Sequence, residues 1–98
     1  MDRRKAIAAL KENEPQARKL GAKALFLYGS TARDQASEDS DLDVFVEHDP
    51  NSQFSLMELV GIKLLLEDNI GQSVDITTRN GLHPRIRTQI EAEAIRVF

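Results

Sequence analysis

The chain has no cysteine, which excludes a disulfide framework and any thiolate metal site. It has no apolar run approaching the ~18 residues of a membrane span. Its opening residues, Met1-Asp2-Arg3-Arg4-Lys5, lead into an alanine-rich stretch too short and broken for a signal peptide. A basic excess is also missing. The net charge of −3 excludes a protein that grips nucleic acid by charge alone, which needs a basic face. It leaves room for a small anionic substrate held through a cation. There is no internal repeat, linker or low-complexity segment. What remains is an ordinary mixture, 98 residues that are 41% hydrophobic and 30% charged. That suits a single domain, residues 1–98, with one modest core and no membrane contact. A cytoplasmic location is the default expectation.

Helix and strand patterns alternate along the chain. Residues 2 to 12 read as a helix with Ile7, Ala8 and Leu10 on its apolar face. Asn13 and Pro15 open a second short helix, closed by Gly21 as a left-handed cap. Ala24 to Tyr28 is a strand apolar on both faces, broken by Gly29-Ser30. A short helix is expected over Thr31 to Ala36, a polar loop over residues 37–40, and a second strand over Leu42 to Glu47. Ser55 and Glu58 form a capping box, with Phe54 and Leu59 as a staple. The following helix is expected to run to about Asp68 and to bury Leu56, Leu59, Val60 and Leu64. Ser73 to Thr77 is a third strand, and Arg79-Asn80-Gly81 turns. Pro84 starts a last helix with Ile86, Ile90 and Ala94 on one face. Residues 95–98 extend that helix or make an edge strand. The fold class is α/β (α+β), a small mixed β-sheet flanked by helices, with strand order open.

Two aspartates stand where a strand should begin. Aspartate is a poor strand former, and like charges repel. Side chains alternate along a strand, so Asp41 and Asp43 share one face, about 7 Å apart along the chain. Leu42, Val44 and Val46 take the core face. Asp75, between Val74 and Ile76, repeats the arrangement. If the second and third strands are neighbours, three carboxylates converge and require a cation. Magnesium suits them, because it takes oxygen ligands and keeps substrate phosphates in its shell. Gly29 lets backbone approach a ligand closely, Ser30 adds a hydroxyl, and Arg33 is within a turn of both. An anion cradle beside metal-binding acids is the equipment of phosphoryl or nucleotidyl transfer.

Gly29-Ser30, ten intervening residues and Asp41-Leu42-Asp43 resemble the G-S-x10-D-x-D signature of the DNA polymerase beta-like nucleotidyltransferases. The length and Asp75 resemble the minimal nucleotidyltransferases, the smallest branch of that superfamily. The resemblance covers most of the chain, including "ALFLYGSTAR", "SDLDVFV", "SVDITT" and "EAEAIRVF". It implies that Gly29 and Ser30 hold the triphosphate of ATP. Asp41 and Asp43 would ligate the magnesium on that triphosphate. Asp75 would ligate a second magnesium and help deprotonate the acceptor. Arg33 would neutralise phosphate charge. The chain departs from the family at Asp34, where an A-R-G string often has glycine. The resemblance further implies an antitoxin that moves AMP to a tyrosine hydroxyl of a HEPN-type toxin, since so small a chain must borrow its acceptor surface.

Plainer readings stand beside these. Asp41 and Asp43 can be a solvated strand start, Asp75 a lone strand aspartate, and Gly29-Ser30 a turn. Arg33 divides evenly between phosphate contact and surface charge, while Thr31 reads as a helix cap or first-turn residue. Tyr28 reads as sheet packing, His48 and His83 as turn residues, and Arg79, Arg85 and Arg87 as a solvated basic face. Haloacid-dehalogenase-like phosphatases and D-x-D glycosyltransferases are set aside. In the former the acids end their strand, and both groups have longer chains. Two other functions stay open, a contact-only antitoxin with an idle site and a small-molecule nucleotidyltransferase. ATP itself rests on the resemblance, since no residue here reads a base edge.

Overall fold

The computed structural model describes residues 1–37 and 40–98. Helix α1 (Arg3–Lys11) starts at Asp2, whose carboxylate accepts the Lys5 N–H at 2.8 Å. Helix α2 (Glu14–Lys19) follows with Pro15 in its first turn. Then come β1 (Ala22–Tyr28), the four-residue helix α3 (Gly29–Ala32) and β2 (Leu42–His48). Helix α4 (Leu56–Ile70), β3 (Val74–Thr78), a 3-10 turn at Arg79–Gly81, α5 (Pro84–Glu93) and a two-residue β4 (Ile95–Arg96) complete the chain.

The four strands form one mixed sheet in the order β3-β2-β1-β4. β1 is antiparallel to β2 and β4, while β2 and β3 are parallel. One face is sealed. Leu25, Leu27, Leu42, Val44 and Val46 are fully buried there against Ala6 and Leu10 of α1 and Ile62 and Leu66 of α4. Each such side chain contributes about 1.5–3 kcal/mol by leaving water. The other face carries Phe26, Tyr28, Asp43, Phe45 and Asp75. Phe26 and Phe45 stack with centroids 4.7 Å apart, and the Arg79 guanidinium lies over both rings at 4.8 and 5.2 Å.

The capping box forms as the sequence predicts, and Gly71 closes α4 in the left-handed region at φ 75°. The structure corrects the face of α4. Leu56, Val60 and Leu64 are exposed, Leu56 at 74%, and Ile62 and Leu66 are buried instead, with Leu59 partly so. Apolar residues occur all round this helix, so periodicity alone cannot choose a face. α5 buries no residue, and Ile86 is exposed. Ala94 falls after the helix, and the chain ends in the edge-strand alternative. Helix α3 begins at Gly29 rather than Thr31 and has ended by Ala32, since Asp34 turns into positive φ. The cap of α2 is Leu20, with Gly21 just beyond it at φ 111°. The expected polar loop lies partly outside the described residues; Ser37 and Ser40 at its ends hydrogen-bond at 3.0 Å.

Candidate active site

The parallel pairing of β2 and β3 places Asp43 and Asp75 as register partners. Across the antiparallel pairing on the other side, Asp43 is the partner of Tyr28, the residue before Gly29. Three adjacent strands thus deliver Tyr28, Asp43 and Asp75 side by side in one row. Asp41 stands one residue ahead of β2 and is exposed. Its segment is pinned to the start of β3, because the Leu42 N–H donates to the Ser73 carbonyl at 2.9 Å and the Gln72 amide donates to the Ser40 carbonyl at 2.5 Å.

Gly29 has φ 75°, a region that favours glycine. A β-carbon there would also run into the Asp43 carboxylate. The turn and the acid therefore touch, and the motif is a physical contact as well as a spacing. Arg33 follows α3, with its Nε donating to Gln35 Oε1 at 3.3 Å and its Nη1 to Glu93 Oε2 at 3.2 Å. Thr31 is buried within α3, and its hydroxyl has no hydrogen-bond partner among the described residues. Asp34 accepts the Arg3 N–H at 3.2 Å, so this departure from the family pattern faces the start of α1.

The electrostatics match the crowding. Burial pushes the Asp43 carboxyl above its usual range; Asp75 and then Asp41 add to the push, and the Arg33 guanidinium opposes it. Tyr28 is pushed up to about 12, first by burial and then by the charges of Asp43 and Asp75. The acids sense one another, yet among the described residues no three His, Cys, Asp or Glu side chains gather tightly enough to enclose a metal ion.

The other end of the same face is built oppositely. Arg79 bonds Glu91 at 2.6 Å and lies 3.7 Å from Glu47, and Arg87 bonds Glu91 at 2.8 Å. Arg79 is thus no free member of a solvated basic cluster. A cleft of about 280 Å³ lies here, lined by Lys23, Glu47, His48 and Arg79 among others, away from the acids. His48 is the last residue of β2 rather than a turn residue, and it stacks on Phe54 at 4.6 Å.

The structure brings together Gly29, Asp43 and Asp75, keeps Asp41 beside them, and places Arg33 close enough to influence Asp43. Sequence reasoning missed Glu93, which is 60 positions from Arg33 and carries no local signal. Tyr28 packs against Phe45 in the sheet, with ring centroids 5.8 Å apart, as the sequence reading has it.

Residues 3–97 match the nucleotidyltransferase domain family. The chain is 39% identical over 80 residues to "Putative protein adenylyltransferase MJ0435" of Methanocaldococcus jannaschii, covering 82% of this chain and 84% of that one. Its fold matches the solved "Structure of putative minimal nucleotidyltransferase" with a TM-score of 0.82 at 37% identity, over 97% of this chain and 95% of that one. It also matches a chain from the tri-AMPylated Shewanella oneidensis HEPN toxin in complex with MNT antitoxin. There the TM-score is 0.65 at 12% identity, over 94% of this chain and 71% of that one, a likeness of fold alone. The chain belongs to the nucleotidyltransferase domain family, and it is a nucleotidyltransferase of the minimal type.

Proposed function

We propose that this protein transfers AMP from ATP to a hydroxyl on a partner protein, and that it serves as the antitoxin silencing a HEPN-type toxin. The observation that carries the reading is the contact of Gly29 with the Asp43 carboxylate, with Asp75 in register beside it. A triphosphate seated at Gly29 and Ser30 lies next to the acids. Relatives named as adenylyltransferases, and a structural neighbour in an AMPylated toxin–antitoxin complex, support the choice of reaction and partner.

In this reading Asp41, Asp43 and Asp75 would hold magnesium, up to two ions, which would supply charge neutralisation at the phosphates. Gly29 and Ser30 orient the triphosphate, and Arg33 offsets its charge. The acceptor oxygen forms a bond to the α-phosphorus in line as the bond to pyrophosphate breaks, and Asp75 helps draw the proton from the acceptor hydroxyl.

The test is intact mass of both chains after incubation with magnesium, labelled ATP and the product of the neighbouring gene. An added AMP on the partner, lost with the Asp41→Ala/Asp43→Ala variant, supports the reading. A stable complex with no added mass from any nucleoside triphosphate overturns it in favour of neutralisation by contact. Modification of a small molecule by this chain alone would overturn it in favour of a small-molecule enzyme.

A further inference from the structure

Glu93 is the last residue of α5 and lies two positions before Ile95, which pairs with Leu27 in the sheet. Leu27 in turn lies two positions before Gly29. The β1–β4 pairing therefore carries the end of α5 to the glycine-serine turn, and this is why a residue so distant in sequence meets Arg33. Its carboxylate takes one Nη1 donor at 3.2 Å, and Gln35 takes the Nε donor at 3.3 Å. A guanidinium has five N–H donors in a rigid fork. One is engaged at Nε and one at Nη1, and the Nη2 donors have no partner among the described residues. The Arg33 side chain stays 45% exposed and Glu93 35%, so the pair is open to an incoming ligand.

We propose that Glu93 is a positioning residue that aims the Nη2 group of Arg33 at the phosphates of the bound nucleotide. The proposal rests on the nucleotidyltransfer reading of this site. The influence of Arg33 on Asp43 agrees with an arginine already held at the acid patch. Glu93 itself touches neither nucleotide nor acceptor. Were it instead a mask on Arg33, its removal would tighten nucleotide binding.

The experiment is a double-mutant cycle on binding of a fluorescent ATP analogue with magnesium, using wild type, Glu93→Gln, Arg33→Ala and the double variant. Glu93→Gln is expected to weaken binding about threefold to fivefold, the scale of a half-exposed ion pair. In the Arg33→Ala background the same change should have no effect, and Glu93→Asp should restore part of the loss. A loss of equal size in both backgrounds would mean a merely structural role and overturn the proposal. So would unchanged or tighter binding by Glu93→Gln. No binding by the wild type would instead overturn the nucleotidyltransfer reading, and this proposal with it. The melting temperatures of all four proteins check that each is folded.

Discussion

The open face of the sheet has two ends built from opposite rules. At one, Arg79 is paired with Glu91 and Glu47 over two aromatic rings, so its charge is compensated within the chain even though its buried Nε has no hydrogen-bond partner among the described residues. At the other, Asp41, Asp43 and Asp75 share a patch whose mutual repulsion is offset only in part by Arg33. Both ends place charge on a half-buried sheet, which costs free energy unless it is paired. The charge at the first end is paired within the fold, whereas that at the second is left for a ligand to offset in the proposed function. Local rules broken without compensation inside the chain point to a site. The cleft at the Arg79 end is not lined by the three aspartates, so a search guided by that cleft would miss them.

The sharpest way to break the contrast is Asp43→Asn. AMP transfer should fall at least about 100-fold, since a group that holds phosphate charge is lost. Without ligand, the variant should be the more stable protein at neutral pH. The folded-state pKa of Asp43 is raised above 3.8, so the native state holds its proton longer than the unfolded one. Wild-type stability should therefore fall relative to the variant as pH climbs from about 3.8 through that raised value, as urea melts at several pH values would show. A variant that loses activity and stability together would mean that Asp43 belongs to the charge paired within the fold.

Gly29→Ala comes next. It combines positive φ with a collision against Asp43. It should cost about 1–3 kcal/mol in urea unfolding and remove nucleotide binding. Arg79→Met tests the compensated end. Lost cation–π and ion-pair contacts should cost about 1–2 kcal/mol of stability, while nucleotide affinity changes less than twofold. Tyr28 offers a subtler probe, because the chain has one tyrosine and no tryptophan to obscure it. Its ultraviolet titration should have a midpoint near 12 and move toward 10.0 in Asp43→Asn. Since the folded state keeps that proton, wild-type stability should drop as pH rises from 10.0 toward 12. The smallest effect is expected from Asp34→Gly. Relief of the φ 59° conformation and loss of the bond from Arg3 should nearly cancel, and nucleotide affinity should shift less than twofold in a binding titration.

How much of this could be read from the sequence depends on the range of the signal. The capping box at Ser55 and Glu58 and the strand alternation around Asp43 and Asp75 are local, and they appear as expected. The buried face of α4 depended on partners. With apolar residues on every side, only contact with α1 and the sheet selects Ile62 and Leu66. Arg79 shows the same limit, since its rings and carboxylates come from β1, β2 and α5. For the site, residue types and spacing named the acids and the glycine. They did not name Glu93, whose relation to Arg33 exists only after β4 pairs with β1.

The contact between Gly29 and Asp43 is set by sheet pairing, because Tyr28 and Asp43 are partners across β1 and β2. The loop joining those strands does not build it. The number ten in the signature is thus a habit of loop length, whereas the neighbourhood of two strands is the requirement. Kinship would then be recognised better by asking which acid faces the glycine than by counting what lies between them.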